Sequence, residues 1–209
     1  MPMKTNEREY RDFTLAVIET KEEQDESKIV RGYASTFNQP YTLYEDDEVV
    51  IQEQVDSKAF DNADMSDVIM QYNHEGRVFA RVSNGTLKVN ADDTGLSIEA
   101  DLGGTEIGQQ LYQEINGGYT TKMSYGYTVR NSEWTELKAE DGRHIELRTV
   151  TDIGKVYDVS AVSIPANNAT SISVRNLSDG VIEKIKAERL QELELERRKL
   201  QLKLRLGGI

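Results

Sequence analysis

A serine hydroxyl stays protonated at neutral pH. It attacks a carbonyl only when a base within hydrogen-bond reach takes its proton and a third group orients that base. Residues 119–129, YTTKMSYGYTV, offer such a serine. Met123, Tyr125, Tyr127 and Val129 alternate with Lys122, Ser124, Gly126 and Thr128, the period of a strand, which sends Ser124 off the face opposite the aromatic side chains. Gly126 shares that face, and its missing side chain is expected to let a substrate backbone come close. The sequence holds two histidines. His74 follows the apolar run 68–72 and precedes Glu75-Gly76, a place from which a side chain can face a cleft. His144 lies in a charged hairpin three residues after Asp141 and reads as a surface residue. Asp158 sits inside the apolar string VYDVSAVSI, where a carboxylate is costly unless paired, so it is the candidate for orienting His74. The plain alternatives are a turn role for His74 and a water-facing edge position for Asp158. Lys122 shares the Ser124 face and would form a Ser–Lys dyad if burial lowered its pKa, although cross-strand spacing does not favour it.

The elements that must position these groups are mostly strands. Residues 10–19 and 28–37 are rich in β-branched and aromatic side chains and read as two strands joined by the polar loop 21–27. A break at 38–40 ends the second. A strand over 48–54 follows, then a helical turn at 57–61 with Asp56 as its cap. A buried strand over 68–72 delivers His74, and another strand covers 78–82. Asn84-Gly85 marks a tight hairpin turn and residues 92–95 a second one; the alternations Leu87, Val89, Ala91 and Leu96, Ile98, Ala100 make an antiparallel meander. Ile107, Leu111 and Ile115 fall four apart and predict a helix over 105–115, capped by Thr105 and stopped by Gly117-Gly118. It leads into the Ser124 strand. A charged hairpin turning at Asp141-Gly142 joins 134–137 to 144–150, and residues 155–164 form the last strand, ended by 165–167.

From Asp179 the chain is rich in Glu, Lys, Arg, Gln and Leu, all good helix formers. Ile182, Ile185, Leu190, Leu193, Leu200 and Leu204 line that helix, with Arg189 and Arg197 interrupting the stripe. Such a stripe suits a partner or a second copy of the chain. The net charge of −12 is uneven: residues 177–209 carry +2, which leaves −14 for residues 1–176. We therefore expect an α+β, mainly β catalytic body over 1–176 and a helical extension over 177–209. The acidic body argues against sequence-independent nucleic-acid binding. The absence of cysteine excludes disulfides, thiolate zinc sites and cysteine catalysis. No apolar run is long enough to span a membrane, no signal-peptide core is seen, and neither metal-ligand spacing nor a glycine-rich phosphate loop is present, so no membrane and no cofactor is expected.

The succession RGYASTF (31–37), KAF (58–60), QYNH (71–74), NGTLKV with DDTGLSIEA (84–100), a helix, MSYGY (123–127) and YDVSAVSIPAN (157–167) resembles the prohead serine proteases of tailed bacteriophages over about residues 29–175. The order and spacing of these strings carry the resemblance more than any one of them. It implies an assemblin-like β-barrel flanked by helices. It also implies cleavage of a scaffold protein, or of the scaffolding segment of the major capsid protein, inside the immature capsid in the host cytoplasm. By motif His74 matches the family's base, Ser124 its nucleophile, and Asp158 the acid before Val-Ser. Herpesvirus relatives use a second histidine as third member, which makes His144 the runner-up. In one departure, Ala80 precedes Arg81 where the family has glycine. The rival expectation is a non-enzymatic β-barrel, a capsid-assembly or scaffold-associated protein, with Ser124 merely on a polar strand face.

Overall fold

The computed structural model describes residues 8–13, 19–22, 28–163 and 179–206. They fall into two compact units, one within residues 1–173 and one within 174–209. Among its described residues the first unit holds two sheets and one α-helix. Strands β1 (Glu9–Phe13), β4 (Tyr41–Glu45), β5 (Val49–Val55), β6 (Ile69–Tyr72), β7 (Glu75–Arg81), β10 (Lys122–Lys138) and β11 (His144–Val162) form a seven-stranded sheet; β2 (Glu19–Glu22), β3 (Lys28–Thr36), β8 (Leu87–Ala91) and β9 (Gly95–Asp101) form a four-stranded one. Helix α1 spans Glu106–Asn116.

The frame of the larger sheet is one antiparallel hairpin, β10 with β11, turning through residues 139–143. β1 pairs with the outer side of β10. β11 is 19 residues long and takes two partners in succession, β5 parallel along residues 144–150 and β6 parallel along 158–161. A long strand that changes partner splits its sheet into two branches, β5–β4 and β6–β7. Among the described residues neither sheet closes on itself, so the expected barrel is replaced by an open, mainly β, α+β body. The buried residues Val30, Ala34, Leu96, Ile98, Leu111, Tyr112, Tyr125 and Val159, drawn from both sheets and α1, belong to one core.

The alternation in residues 122–129 forms a strand as expected, and Met123, Tyr125 and Tyr127 are buried. Ser124 is buried as well. Helix α1 starts where Thr105 accepts a hydrogen bond from the Gly108 amide at 3.1 Å, and Leu111, Tyr112 and Ile115 are its buried face. The expected strand over 10–19 divides between the sheets: β1 runs along β10, while β2, which begins at Glu19, pairs with β3 in the other sheet, and residues 14–18 lie outside the described residues. β4 adds a strand to those expected; the bend at Asp46, whose carboxylate accepts from the Glu48 and Val49 amides, turns it back along β5. β7 begins at Glu75, directly after His74, and Ala80 is buried in it opposite Met70. Most of the expected loop at 21–27, the break at 165–167 and the boundary between 176 and 177 lie outside the described residues.

The second unit is described as one helix, α2 (Asp179–Leu206), on which Leu190, Leu193, Leu195, Leu200 and Leu202 are exposed. No helix among the described residues is long and apolar enough to cross a membrane.

Candidate active site

Ser124, His74 and Asp158 meet. Ser124 stands on β10 directly opposite Ser160 of β11, and Asp158 stands opposite Gly126, so the hairpin alone puts hydroxyl and carboxylate on one face two residues apart. The imidazole comes from the other branch. β6 lies parallel to β11 with Tyr72 beside Ala161, and the chain reverses into β7 through Asn73 and His74 only, since Tyr72 already pairs with Glu75. Both turn residues have positive φ, 51° and 59°. That is the mark of a tight type I′ reversal, a conformation that usually selects Asn-Gly. A side chain as large as histidine in that region strains the backbone by about 1–3 kcal/mol, and such strain clusters at functional sites.

Hydrogen bonds hold the turn against β11 and Ser163 just after it. The Asn73 amide donates to the Ala161 carbonyl at 3.0 Å, the Ser163 amide to Asn73 Oδ1 at 3.1 Å, and the His74 amide to Ser160 Oγ at 3.3 Å. The imidazole then bridges its neighbours: Nδ1 is 2.5 Å from Asp158 Oδ1 and Nε2 is 2.5 Å from Ser124 Oγ. An ionised carboxylate only accepts, so in the tautomer with the proton on Nδ1 that nitrogen donates to Asp158 and the Nε2 lone pair faces the serine hydroxyl. Ser124 Oγ also lies 3.1 Å from the Arg11 carbonyl, a second acceptor for the same proton.

Asp158 is fully buried. Its Oδ1 accepts from His74 and from Ser160 Oγ at 3.1 Å. Among the described residues its Oδ2 has no hydrogen-bond partner, and Arg8 Nη1 lies 3.7 Å from it. Ser124 and Ser160 are likewise enclosed, whereas the His74 side chain keeps 16% of its surface exposed, so the array meets solvent at the imidazole.

Gly126 does not serve as expected. A Cβ there would lie 2.4 Å from Asp158 Oδ2 and 2.7 Å from the Tyr10 ring. The space is filled by the protein's own carboxylate and phenol ring and is not open to a substrate backbone. His144 starts β11, fourteen residues along the same strand from Asp158, on the order of 40 Å away. It therefore takes no part in the array. Lys122 pairs opposite Val162, and the imidazole occupies the position at Ser124 that a dyad lysine would need. Among the described residues no cluster of three His, Asp or Glu side chains could hold a metal ion.

Sequence reasoning missed three contributors. Ser160 was legible, because a polar residue two positions after Asp158 in an apolar strand must share its face. Tyr10 and Arg8 gave no local signal; only the pairing of β1 with β10 brings them here. The Tyr10 ring packs on the His74 imidazole with centroids 4.4 Å apart and planes tilted by 58°.

The opposite face of the same strands carries a buried ionic cluster. Glu53 on β5 accepts from Arg11 Nε at 2.6 Å, Arg148 Nη1 at 2.8 Å and the Tyr41 hydroxyl at 2.5 Å. Glu9 is bound by Arg11 at 2.6 Å and by Arg148 at 2.8 Å. Burial alone would raise the Glu53 pKa, but the charges of Arg11 and Arg148 outweigh it and hold the carboxyl at about 2. Glu9 is lowered by the same two guanidiniums acting against its burial. Two of the four charged members, Glu9 and Arg11, belong to β1, so the cluster fastens that strand to β5 and β11.

A family model described as caudovirus prohead serine protease matches residues 16–185 of the chain. Comparison with curated proteins and with solved structures gives no significant match.

Proposed function

Because the chain belongs to the caudovirus prohead serine protease family, we propose that it hydrolyses peptide bonds through an acyl-enzyme on Ser124, with His74 as general base and Asp158 as the acid that orients it. Membership makes the protein a serine peptidase of capsid maturation, acting within the procapsid in the host cell on capsid or scaffold protein. The finer reading assigns as substrate the scaffold protein or the scaffolding segment of the capsid protein. It also assigns residues 1–176 to the protease and 177–209 to a helical extension that uses exposed leucines for a partner or a second copy. An assemblin-like kinship of the open two-sheet body belongs to the same reading, supported by the family resemblance.

The observation that supports this chemistry is the pair of 2.5 Å contacts on the two nitrogens of one imidazole. Ser124 Oγ forms a bond to the scissile carbonyl carbon while its proton passes to Nε2. The imidazolium, held by Asp158, returns that proton to the leaving amine as the C–N bond breaks. Water then repeats the sequence and releases the acyl group. Since Ser124 has no exposed surface, the face over it must open before a peptide enters. The deciding test is a fluorophosphonate probe together with processing of the capsid or scaffold protein. Labelling at Ser124 that vanishes in His74→Ala, and processing lost in Ser124→Ala, are expected. An unlabelled protein in every oligomeric state, or unchanged processing by Ser124→Ala, would return the chain to a structural role.

A further inference from the structure

β1 and Arg8 just before it lie outside the residues matched by the family, yet between them they reach every member of the array. Arg11 presents its carbonyl to Ser124, Arg8 its charge to Asp158 Oδ2, and Tyr10 its ring to His74. We infer that β1 is a positioning element of this active site, in which Tyr10 holds the imidazole between Asp158 and Ser124.

The geometry leads there in three steps. Tyr10 pairs with Gly126, and Gly126 pairs on its other side with Asp158, so ring, glycine and carboxylate form one row across three strands on the Ser124 face. The missing Cβ of Gly126 leaves room for the carboxylate and the ring together, since both would collide with it. The ring so placed packs against an imidazole that hangs from a two-residue turn. Hydrogen bonds fix the two nitrogens, and the tilted Tyr10 ring, its centroid 4.4 Å from that of the imidazole, limits rotation of the plane between them. Arg8, whose guanidinium also stacks on the Tyr157 ring at 3.8 Å, supplies a counter-charge to Asp158 Oδ2. The buried cluster on the opposite face makes the strand rigid enough for this role, because Glu9 and Arg11 alternate with Arg8 and Tyr10 and point into it.

Tyr10 is a positioning residue and does not touch substrate in this role, so the test reads the imidazole directly. The inference rests on the Ser–His–Asp reading, and two measurements separate their failures. In wild type one imidazole N–H resonance is expected far downfield, from His74 Nδ1 on Asp158; with two histidines in the chain it is assigned by comparison with His144→Gln. In Tyr10→Ala this resonance is expected to broaden away and fluorophosphonate labelling of Ser124 to slow by at least about tenfold, because small misplacements of a catalytic group are magnified in rate. Tyr10→Phe, which keeps the ring, is expected to retain the resonance and label within about twofold of wild type, in line with a packing role. A Tyr10→Ala protein with an intact resonance and wild-type rate overturns the inference. So does one that labels faster, which would make Tyr10 a cover, and so does a Tyr10→Phe protein as slow as Tyr10→Ala. A wild type lacking the downfield resonance overturns the array itself and this inference with it. Should Tyr10→Ala fail to fold, Tyr10→Leu, which keeps the bulk without the flat ring, is put to the same outcomes.

Discussion

Gly126 and Asp158 face each other across the β10–β11 ladder, and the carboxylate occupies the volume in which any other residue at 126 would place its Cβ. The glycine is thus a condition for a buried acid beside a histidine. Gly126→Ala should push Asp158 away from Nδ1 and lower the rate of Ser124 labelling by about 10²-fold or more. Because one methyl is added at the edge of the core, the unfolding midpoint should fall by no more than an overpacking change of about 1–3 kcal/mol. A wild-type labelling rate in this variant would show that the acid has another place to sit.

The two partners of Ser124 chemistry should not be equal. His74→Ala removes the proton acceptor, and a loss of about 10⁶-fold is expected, whereas Asp158→Asn leaves an imidazole in an unfavourable tautomer, with a loss nearer 10⁴-fold. Rates of capsid or scaffold cleavage, or of probe labelling, rank them. The reverse order would assign the base to a different residue.

Ser160 ties two pieces together: its hydroxyl donates to Asp158 and accepts from the His74 amide. Losing a hydrogen bond to a charged group is worth about 1.5–3 kcal/mol, so Ser160→Ala should reduce labelling about 10- to 100-fold while the fold survives. Circular dichroism alongside the labelling rate checks both halves of that expectation.

The ionic cluster predicts an acid limb. Glu53 titrates at about 2 in the folded protein against an ordinary 4.5, so its contribution is complete above pH 4.5 and is lost as pH falls towards 2. Urea midpoints measured from pH 6 down to pH 2 should fall through that window. Glu53→Gln should flatten its own share of the slope and, by removing one of the two carboxylates that Arg11 and Arg148 share, should cost about 3–5 kcal/mol at pH 7. An unchanged midpoint at pH 7 would refute the assignment of the cluster as the fastening of β1.

The three side chains that meet at the candidate site were legible in the sequence because local alternation exposes them. Ser124 and Asp158 each sit in strands whose apolar period reveals a polar intruder, and His74 ends an apolar run that has nowhere to go but a turn. The helix before Ser124 was equally plain from Ile107, Leu111 and Ile115. What period could not reveal was pairing. Whether residues 10–19 serve one sheet or two depends on partners more than a hundred residues away, and the contribution of Tyr10 follows from that choice. The same is true of Glu9, Arg11, Glu53 and Arg148, each an ordinary charged residue in its own neighbourhood, whose burial comes only from their meeting. Gly126 was read with the right face and the wrong occupant, since the sequence does not say which group fills a vacant Cβ position.

The reversal at Asn73 and His74 contains no spare residue. An evolving lineage can lengthen or shorten the far tip of the long hairpin, residues 139–143, without disturbing hydrolysis, because nothing reactive hangs there. One added amino acid between Tyr72 and Glu75 would swing the imidazole away from its two partners and silence the enzyme at a stroke. Among descendants of this chain, length should drift at the tip and stay frozen at the reversal.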